Sequence, residues 1–454
     1  MESRRKFLYM MGAMGMSSSA TAFAGEATVG DEASSGSLHA ALKSKAAPVR
    51  TLDFTSDDFT DLEPLGYAVA SARLVQLGEP SHGSGSAFAA KARIVKFLHQ
   101  RHGFDVLIWE SGMYDVSLAQ AEMCSTSSDA VTAAQKGIFT LWSGAAEVKP
   151  LFEYIKVSQS TLHPLEIAGF DIQVTADRTT ERFAQDLHAF VGALNDPKIR
   201  ESAVSMADDA TGARNRLYSS KFSNAHDLEA LTDAVQRLRA LISTKRTAFQ
   251  AISSDLNLSF WNHILENMRA DAALRAESAK SPVTTTVRES GRDALNAANL
   301  RWLLDERYAG RKVLVWAHNV HVMNAYYAPG FRDVHLVQRR DDMKTTGVFM
   351  KEWLGDKVYT IGMTTFGGQE GFAMGGPRMT IASAPDGSLE ANLHSLGYPV
   401  AFLDLQSVRK DSSSPLRGRL AVRTPKFDIN NVSDLGHIYD GLFFIDQMAA
   451  ATRV

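Results

Sequence analysis

The sequence predicts an α/β protein with a largely parallel central sheet and a large helical insertion packed beside it. Short apolar runs of strand length recur along the chain, each bounded by glycine or polar residues. A helical pattern separates the first two runs, which is the order of a βαβ unit. A stretch from about 176 to 308 consists of long amphipathic segments. Hydrophobic residues make up 45% of the 454 residues, enough to bury a large core.

Five apolar runs are the predicted strands. They are Arg73–Leu77, Asp105–Trp109, Leu165–Gly169, Lys312–Trp316 and Val358–Met363. Ser86–His102 is the helix between the first two, because its apolar residues recur every three or four positions. Phe366–Gly371, which follows the last run, is glycine-rich and is expected to be a flexible loop.

The insertion is predicted to be entirely helical. Its helices are expected over Thr180–Leu194, Asp227–Ile252, Phe260–Ala279 and Ser290–Tyr308. No Gly/Pro linker separates the insertion from the rest, so we expect one α/β domain over residues 50–454. A separate helical domain is the alternative.

The first 24 residues have the features of a twin-arginine export signal. Arg4 and Arg5 precede a short apolar stretch, and Ala22–Ala24 is a small-residue cleavage pattern. The apolar stretch is too short to span a membrane. We therefore expect a periplasmic or secreted protein without stable membrane insertion, an uncleaved anchor being the alternative. Residues 25–49 have no steady period and are predicted to be a loose leader.

Composition argues against a nucleic-acid partner and an internal disulfide. The formal net charge is −3, and no basic surplus points to a nucleic-acid partner. Cys124 is the single cysteine, so an internal disulfide is excluded. The oligomeric state has no signature in the sequence.

Carboxyl and imidazole groups follow the predicted strands. In chain order they are Glu79, His82, Glu110, Asp171, His318 and His321. Because the carboxyl ends of parallel strands meet at one edge of a sheet, we expect these side chains to share a crevice. Glu110 follows a run too apolar to be a solvated face, so a buried partner should tune its pKa. Each residue also has a structural interpretation, such as a helix cap for His82 or an ion pair for Glu110.

Standard catalytic motifs are absent from the sequence. There is no G-x-S-x-G elbow, His-Glu-x-x-His helix, phosphate-binding loop or dinucleotide fingerprint. Ser81 stands one place too late in Gly78–Gly83 for an elbow, and a serine beside Gly and Pro is usually a turn former. The remaining interpretation is a histidine base that acts through water, with carboxylates to orient it.

The ordered set GEPSHG, KARIVKFLHQRHGF, LIWESG, AGFD and WAHNVHV resembles the erythromycin esterase family, over about residues 74 to 361. The resemblance implies that water hydrolyses a carboxylic ester or lactone bond in a small-molecule substrate. The residue roles that it implies are His82 as general base, Glu79 and Glu110 as supporting carboxylates, and His318 or His321 nearby.

Lys91 departs from the pattern of this family. The macrolide-inactivating members have an arginine nine residues after the first histidine, where this sequence has Lys91, and Arg93 lies two positions further on. Lysine supplies charge to a developing oxyanion but no bidentate fork, so substrate orientation should differ. Arg288, Arg292 and Asn299, on the helix before the strand that precedes the two histidines, are further candidates for the crevice.

Two alternatives remain at this point. The first is a hydrolase that holds zinc or manganese with Glu79, His82, Glu110, His318 and His321, with a metal-bound water as nucleophile. No compact ligand spacing supports it, so we expect no cofactor. The second is a non-catalytic protein that binds carbohydrate or another envelope component.

Overall fold

The computed structural model describes six ranges of the chain: 32–173, 179–280, 285–325, 344–418, 420–423 and 431–454. By its contacts the chain divides into Met1–Gly36 and Ser37–Val454, and the sheet and the candidate site belong to the second unit. The signal predicted at residues 1–24 lies outside the described residues.

Within the described ranges a nine-stranded sheet forms the centre of the second unit. Its strands are β1 (Ala46–Pro48), β2 (Leu74–Leu77), β3 (Phe104–Gly112), β4 (Glu166–Asp171), β5 (Lys312–Trp316), β6 (Val358–Glu370), β7 (Met379–Ile381), β8 (Val400–Asp404) and β11 (Gly441–Met448), while β9 (Leu420–Val422) and β10 (Asn431–Ser433) pair with each other. The order is β1-β8-β11-β6-β2-β5-β3-β4, with β7 paired to β6. The strands from β11 to β4 run parallel, and β8 is antiparallel to β11. The predicted largely parallel sheet is confirmed.

All five predicted strands are present, and β6 differs from its prediction. Residues 366–370 were expected to form a flexible loop, but β6 continues to Glu370. Gly367 and Gly368 pair with β11, and Gly368 to Glu370 pair with β7. Hydrogen bonds to two neighbouring strands therefore outweigh the weak strand preference of the glycines.

Helices cover both faces of the sheet. They are α1 (Glu32–Lys45), α2 (Glu63–Ala68), α3 (Gly85–His102), α4 (Met113–Cys124), α5 (Ala130–Ala134), α6 (Thr140–Ser143), α7 (Lys149–Ser158), α8 (Thr179–Gly192), α9 (Pro197–Ser219), α10 (Ala225–Thr244), α11 (Arg246–Gln250), α12 (Asp255–Lys280), α13 (Thr285–Trp302), α14 (Asn319–Val322), α15 (Thr346–Leu354), α16 (Leu389–Ser395), α17 (Leu405–Lys410) and α18 (Leu435–Ile438). A π-helical turn, Leu303–Arg307, continues α13, and a 3₁₀ turn, Gly355–Lys357, follows α15. None of these helices, within the ranges described, is both long and apolar enough to cross a membrane.

Helices α8 to α13 form the predicted insertion and pack on one face of the sheet. Leu187, Leu231 and Leu265 of these helices belong to the same buried cluster as Val106 and Val313 of the sheet. Burial of one such side chain contributes about 1.5–3 kcal/mol, so the shared cluster fixes the insertion beside the sheet.

The leader differs from its prediction where the structure describes it. Residues 25–49 were expected to be loose, but α1 and β1 occupy most of this segment, and residues 25–31 lie outside the described ranges. β1 pairs antiparallel with β8. Leu38, Leu42 and Ala46 recur every four residues and are buried in one cluster. This packing explains why the segment forms a helix and a strand instead of a loose leader.

Candidate active site

The ends of three neighbouring strands bring the predicted residues to one edge of the sheet. Glu79 and His82 follow β2, and Glu110 lies two residues before the end of β3. His318 and His321 follow β5, which pairs with both β2 and β3. Because the three strands are parallel, all five side chains lie at the carboxyl edge of the sheet.

Glu79 is fully buried and accepts hydrogen bonds from three side chains. Its Oε1 accepts from Nδ1 of His82 and from Nε1 of Trp142, each at 3.1 Å. Its Oε2 forms an ion pair with Nζ of Lys91. A buried carboxylate with this many donors is held in one position, so it can orient the imidazole of His82.

His82 is the most open of these groups. Its side chain is 17% exposed, against 0% for Glu79. A carboxylate only accepts hydrogen bonds, so Nδ1 of a neutral His82 carries the proton and Nε2 carries the lone pair. Nε2 has no hydrogen-bond partner among the described residues. The ring lies edge-on to Trp142, with centroids 5.3 Å apart, so His82 presents a proton acceptor beside an aromatic wall.

Lys91 lies behind Glu79 and is fully buried. Besides the ion pair, Nζ donates to the carbonyl oxygen of Ala317 at 3.1 Å and lies 4.3 Å from the centre of the Trp316 ring. Burial lowers the pKa of Lys91 to about 8, although Glu79 opposes this shift. Lys91 therefore holds Glu79 in position on the buried side of the site. It has no exposed surface with which to contact a substrate.

Arg93 has a structural role. Its guanidinium donates to both carboxylate oxygens of Asp61, at 2.8 and 3.0 Å, and to the carbonyl oxygens of Thr51 and Asp58. Both Arg93 and Asp61 are buried. The pair anchors α3 to the loop that contains Thr51 and Asp61. Arg93 therefore does not replace the arginine that the macrolide-inactivating members have at the position of Lys91.

Glu110 is buried in a network with cations. Oε1 accepts from Nη2 of Arg292 at 2.9 Å, and Oε2 accepts from the backbone N–H of His318 at 2.9 Å. Burial alone would raise the pKa of Glu110, but His321 and Arg292 outweigh it and hold the pKa well below its usual range. Arg292 also pairs with Asp171, which joins the end of β4 to the site. The predicted buried partner of Glu110 is thus Arg292.

His321 lies between two carboxylates. Nδ1 is 2.9 Å from Oδ1 of Asp293, and Nε2 is 3.4 Å from Oε1 of Glu110. Burial would lower the pKa of His321, and Nη1 of Arg292 at 3.3 Å adds to that, but the carboxylates raise the pKa to about 9. Thr346 donates to the same oxygen of Asp293 at 2.9 Å. His321 is therefore a cation at neutral pH and a poor proton acceptor.

His318 uses both ring nitrogens for structure. Nδ1 accepts from the backbone N–H of Val320 at 3.1 Å, so it caps α14, and Nε2 then donates to the carbonyl oxygen of Pro80 at 3.0 Å. Its ring centre lies 5.1 Å from that of His82. His318 is near the predicted base, as expected, but these contacts favour a positioning role over proton transfer.

Asn319 is a site residue that sequence reasoning missed. Its side-chain Nδ2 donates to the carbonyl oxygen of Met363 at 2.8 Å, and its Oδ1 accepts from the backbone N–H of Met363 at 3.1 Å. The backbone N–H of Asn319 donates to the carbonyl oxygen of Glu79. It thus ties together the loops after β2 and β5. A Cβ on Gly78 would lie 2.2 Å from Oδ1 of Asn319, so this close approach requires glycine.

Asp293 was not assigned to the site either, and the contact of Trp142 with Glu79 was not predicted. The one available signal for Asp293 was its position beside Arg292 on a predicted helix. Trp142 lies in the short helix α6, far from Glu79 in sequence, and only the fold shows that its Nε1–H reaches Glu79. Asn299, a candidate from the sequence, donates to the carbonyl of Phe170 and so supports β4.

Ser81 forms a turn, in line with its expected role. Its Oγ accepts from the backbone N–H of Gly83 at 3.1 Å. His82 directs Nδ1 to Glu79, so the imidazole and this hydroxyl do not form the serine–histidine pair of a covalent mechanism.

The alternative metal ligands do not converge. Within the described ranges, no three His, Cys, Asp or Glu side chains form an arrangement that could hold a metal ion. Glu79 is already paired with the cation of Lys91, and His318 engages both its nitrogens. The donor set of this site therefore fits a divalent cation poorly.

Fold and site together define a class of protein, an α/β protein with a histidine–carboxylate site of the kind that hydrolases use at the carboxyl edge of a parallel sheet. The family model described as erythromycin esterase matches residues 99–448, more than two thirds of the chain. The chain belongs to the erythromycin esterase family, and this membership supports hydrolase activity. The matched range includes Glu110, His318 and His321, whereas Glu79 and His82 precede it.

Three similar proteins agree with this assignment. YbfO of Bacillus subtilis (strain 168), which carries a provisional hydrolase name, is 26% identical over 425 residues, 89% of this chain and 90% of that protein. Erythromycin esterase type II of Escherichia coli is 21% identical over 438 residues, 91% of this chain and 98% of that protein. The solved structure of an erythromycin esterase mutant, EreC, in its open conformation has a TM-score of 0.63 at 16% identity, covering 90% of this chain and 98% of that one.

Proposed function

We propose that the protein cleaves a carboxylic ester or lactone bond in a small molecule, with water activated by His82. The observation that carries this proposal is the buried Glu79 hydrogen-bonded to Nδ1 of a partly exposed His82 whose Nε2 has no partner in the described part of the chain. That arrangement fixes the tautomer and leaves one proton acceptor open to the crevice.

In the proposed reaction, Nε2 of His82 takes a proton from water while the water oxygen bonds to the carbonyl carbon of the substrate. The carbonyl oxygen becomes the oxyanion of a tetrahedral intermediate. The His82 imidazolium then returns its proton to the leaving oxygen as the carbon–oxygen bond breaks. No covalent bond to the protein forms, so no acyl-enzyme accumulates.

The supporting residues have separate roles in this proposal. Glu79 stabilises the imidazolium of His82, and Lys91 acts through Glu79 by holding it in place. The cations with some exposed surface are Arg292 at 11% and His321 at 13%, so these are the proposed source of positive potential for the oxyanion. The buried Lys91 is a positioning residue in this account.

A panel of aryl esters and lactones tests the proposal. Wild type and His82→Ala are assayed before and after exhaustive chelation. Activity that survives chelation but is lost in His82→Ala supports the metal-free mechanism. Activity lost on chelation and restored by zinc or manganese would assign the reaction to a metal site instead. No turnover of any member would favour a non-catalytic envelope-binding protein.

We also propose that the protein acts outside the cytoplasm after twin-arginine export. The support is the sequence pattern of residues 1–24. Replacement of Arg4 and Arg5 together by lysine should leave the full-length chain in the cytoplasmic fraction. Unchanged export of this double variant would contradict the proposal.

A further inference from the structure

Residues 449–454 follow β11 and join two segments of the site that lie far apart in the chain. One segment is the turn that carries His82, and the other is the loop directly after α6, the helix that carries Trp142. We call residues 449–454 the strap. Because the strap bonds to both segments, it can set the spacing between them.

The strap is bonded to the turn that carries His82. The backbone N–H of Ala451 donates to the carbonyl oxygen of Gly83 at 2.9 Å and to that of Gly371 at 3.1 Å. The backbone N–H of Gly371 in turn donates to the same oxygen of Gly83 at 3.1 Å. Gly83 directly follows His82, so these bonds fix one end of the turn.

The strap also lies close against the start of α3. The backbone N–H of Ala449 donates to Oγ of Ser86 at 2.9 Å, and the N–H of Ser86 donates to the carbonyl oxygen of Ala449 at 3.3 Å. An added Cβ on Gly85 would lie 2.7 Å from the carbonyl oxygen of Ala450. The two backbones can approach this closely only because position 85 is glycine.

The second half of the strap is bonded to the loop after α6. The backbone N–H of Ala146 donates to the carbonyl oxygen of Thr452 at 2.8 Å, and that of Val454 donates to the carbonyl oxygen of Gly144 at 3.0 Å. Oγ1 and the backbone N–H of Thr452 also donate to the carboxylate of Glu147, at 2.7 and 3.0 Å. Since this loop begins where α6 ends, the strap holds the carboxyl end of that helix.

The two segments meet at one carboxylate oxygen. Oε1 of Glu79 accepts from Nδ1 of His82 and from Nε1 of Trp142, each at 3.1 Å. Glu79 and His82 belong to the same turn and move together, so a change in the spacing removes the Trp142 donor first. A donor bonded to a carboxylate stabilises its charge, so Trp142 limits how strongly Glu79 stabilises the imidazolium of His82.

Other titratable groups also face this turn. They are Lys91 of α3 at Glu79, Glu110 of β3 and His318 after β5 near His82, and Glu370 of β6 at Ser81. None of them belongs to the strap, and the variants below replace none of them. A displaced pH profile in those variants therefore reports the strap and Trp142.

We propose that the strap is a positioning element of the active site, which holds Trp142 against Glu79 and thereby sets the strength of His82 as a base. This inference rests on the proposed general-base reaction for its meaning in catalysis. Trp142 is 1% exposed, so it acts through Glu79 and does not contact the substrate. Trp142 and the strap are therefore positioning groups.

The first test is the pH dependence of kcat/KM for a reactive aryl ester. Trp142→Phe removes one donor from Glu79, so the imidazolium of His82 is stabilised more. The acid limb of the profile should then move to higher pH by at least about half a pH unit. Ala451→Pro removes the N–H that donates to Gly83, which loosens the turn from the strap, and should move the limb in the same direction.

Two matched variants are the controls. Arg453→Pro places a proline in the strap at a backbone N–H that has no hydrogen-bond partner among the described residues, and Trp353→Phe changes a tryptophan that is 38% exposed. Both should keep the wild-type acid limb. A loss of folded protein lowers activity equally at every pH, so an unmoved limb in Trp142→Phe or in Ala451→Pro would overturn the inference. If Ala451→Pro does not fold, Glu147→Ala, which removes the acceptor of Thr452, is measured with the same expectation.

A measurement without substrate separates this inference from the proposed reaction. Fluorine NMR of protein labelled with fluorotryptophan reports the surroundings of Trp142, whose resonance is the one absent from Trp142→Phe. Ala451→Pro should shift this resonance, and Arg453→Pro should not. A shifted resonance without any ester turnover by wild type would refute the reaction but keep the strap. Ester turnover that depends on His82, with an unshifted resonance in Ala451→Pro, would refute the strap and keep the reaction.

Discussion

Replacement of His321 with asparagine should change how the stability of the protein depends on pH. The substitution removes an imidazolium that lies between Asp293 and Glu110. Burial alone would lower the pKa of His321, but the two carboxylates raise it to about 9 from an ordinary value of 6.5. A raised pKa means that the folded state binds the proton more tightly. The stabilisation is therefore fully present below the unfolded pKa and is lost as the pH rises through about 9.

The size of this effect follows from the pKa shift. At about 1.4 kcal/mol per pKa unit, the shift from 6.5 to about 9 corresponds to about 3–4 kcal/mol. The His321 side chain is 13% exposed, so solvent screens the interaction little. Urea unfolding of wild type and His321→Asn between about pH 6 and pH 10 should show their difference in unfolding free energy shrinking by about this amount.

A surface pair serves as the control for this measurement. His188 forms an ion pair with Asp208 while 55% of its side chain is exposed, and such pairs contribute little. The difference between wild type and His188→Asn should be nearly independent of pH. If the difference for His321→Asn were equally flat, His321 would not be held as an imidazolium and the reasoning would fail.

Two further predictions concern the support of the site. Gly78→Ala would bring a Cβ within 2.2 Å of Oδ1 of Asn319, so we expect about 1–3 kcal/mol of destabilisation by denaturant unfolding. Gly192→Ala, with nothing within 4 Å of the added carbon, should be nearly neutral, and equal stability of both variants would contradict the close approach. Burial lowers the pKa of Lys91 to about 8, so wild-type kcat should fall above that pH as the ion pair with Glu79 is lost. Lys91→Arg should keep its kcat to higher pH, because arginine stays protonated. Lys91→Met should have a kcat at least about tenfold lower with little change in KM. Identical pH profiles of kcat for wild type and Lys91→Arg would exclude this role of Lys91.

The parallel core of the fold was predictable because its strands are continuous apolar runs. All five predicted runs are strands in the sheet, since a strand covered on both faces needs apolar residues throughout. The strands β8 and β11 are also apolar but were not predicted. No segment of clear helical period precedes them in the sequence, so they did not show the strand–helix–strand pattern on which the prediction was based. Helix α9 was not delimited within the predicted helical insertion, although Asp196 before Pro197 is a capping signal, because its buried face is mostly alanine.

The site was predictable to the extent that strand ends define it. Glu79, His82 and Glu110 share one edge of the sheet because the strands that carry them are parallel. Which cation pairs with which carboxylate was not predictable, because those contacts join segments far apart in the chain. Arg292 reaches Glu110 from the insertion, while Lys91 turns away from the crevice and pairs with Glu79.

Chemical rescue tests the central claim, that His82 is the general base. Turnover of a reactive aryl ester is measured for His82→Gly with and without added imidazole, with the unfolding midpoint as a check on folding. The account predicts a loss of about 10²–10⁴-fold and partial recovery that follows the concentration of neutral imidazole. Wild-type turnover by His82→Gly in the absence of imidazole would contradict the account.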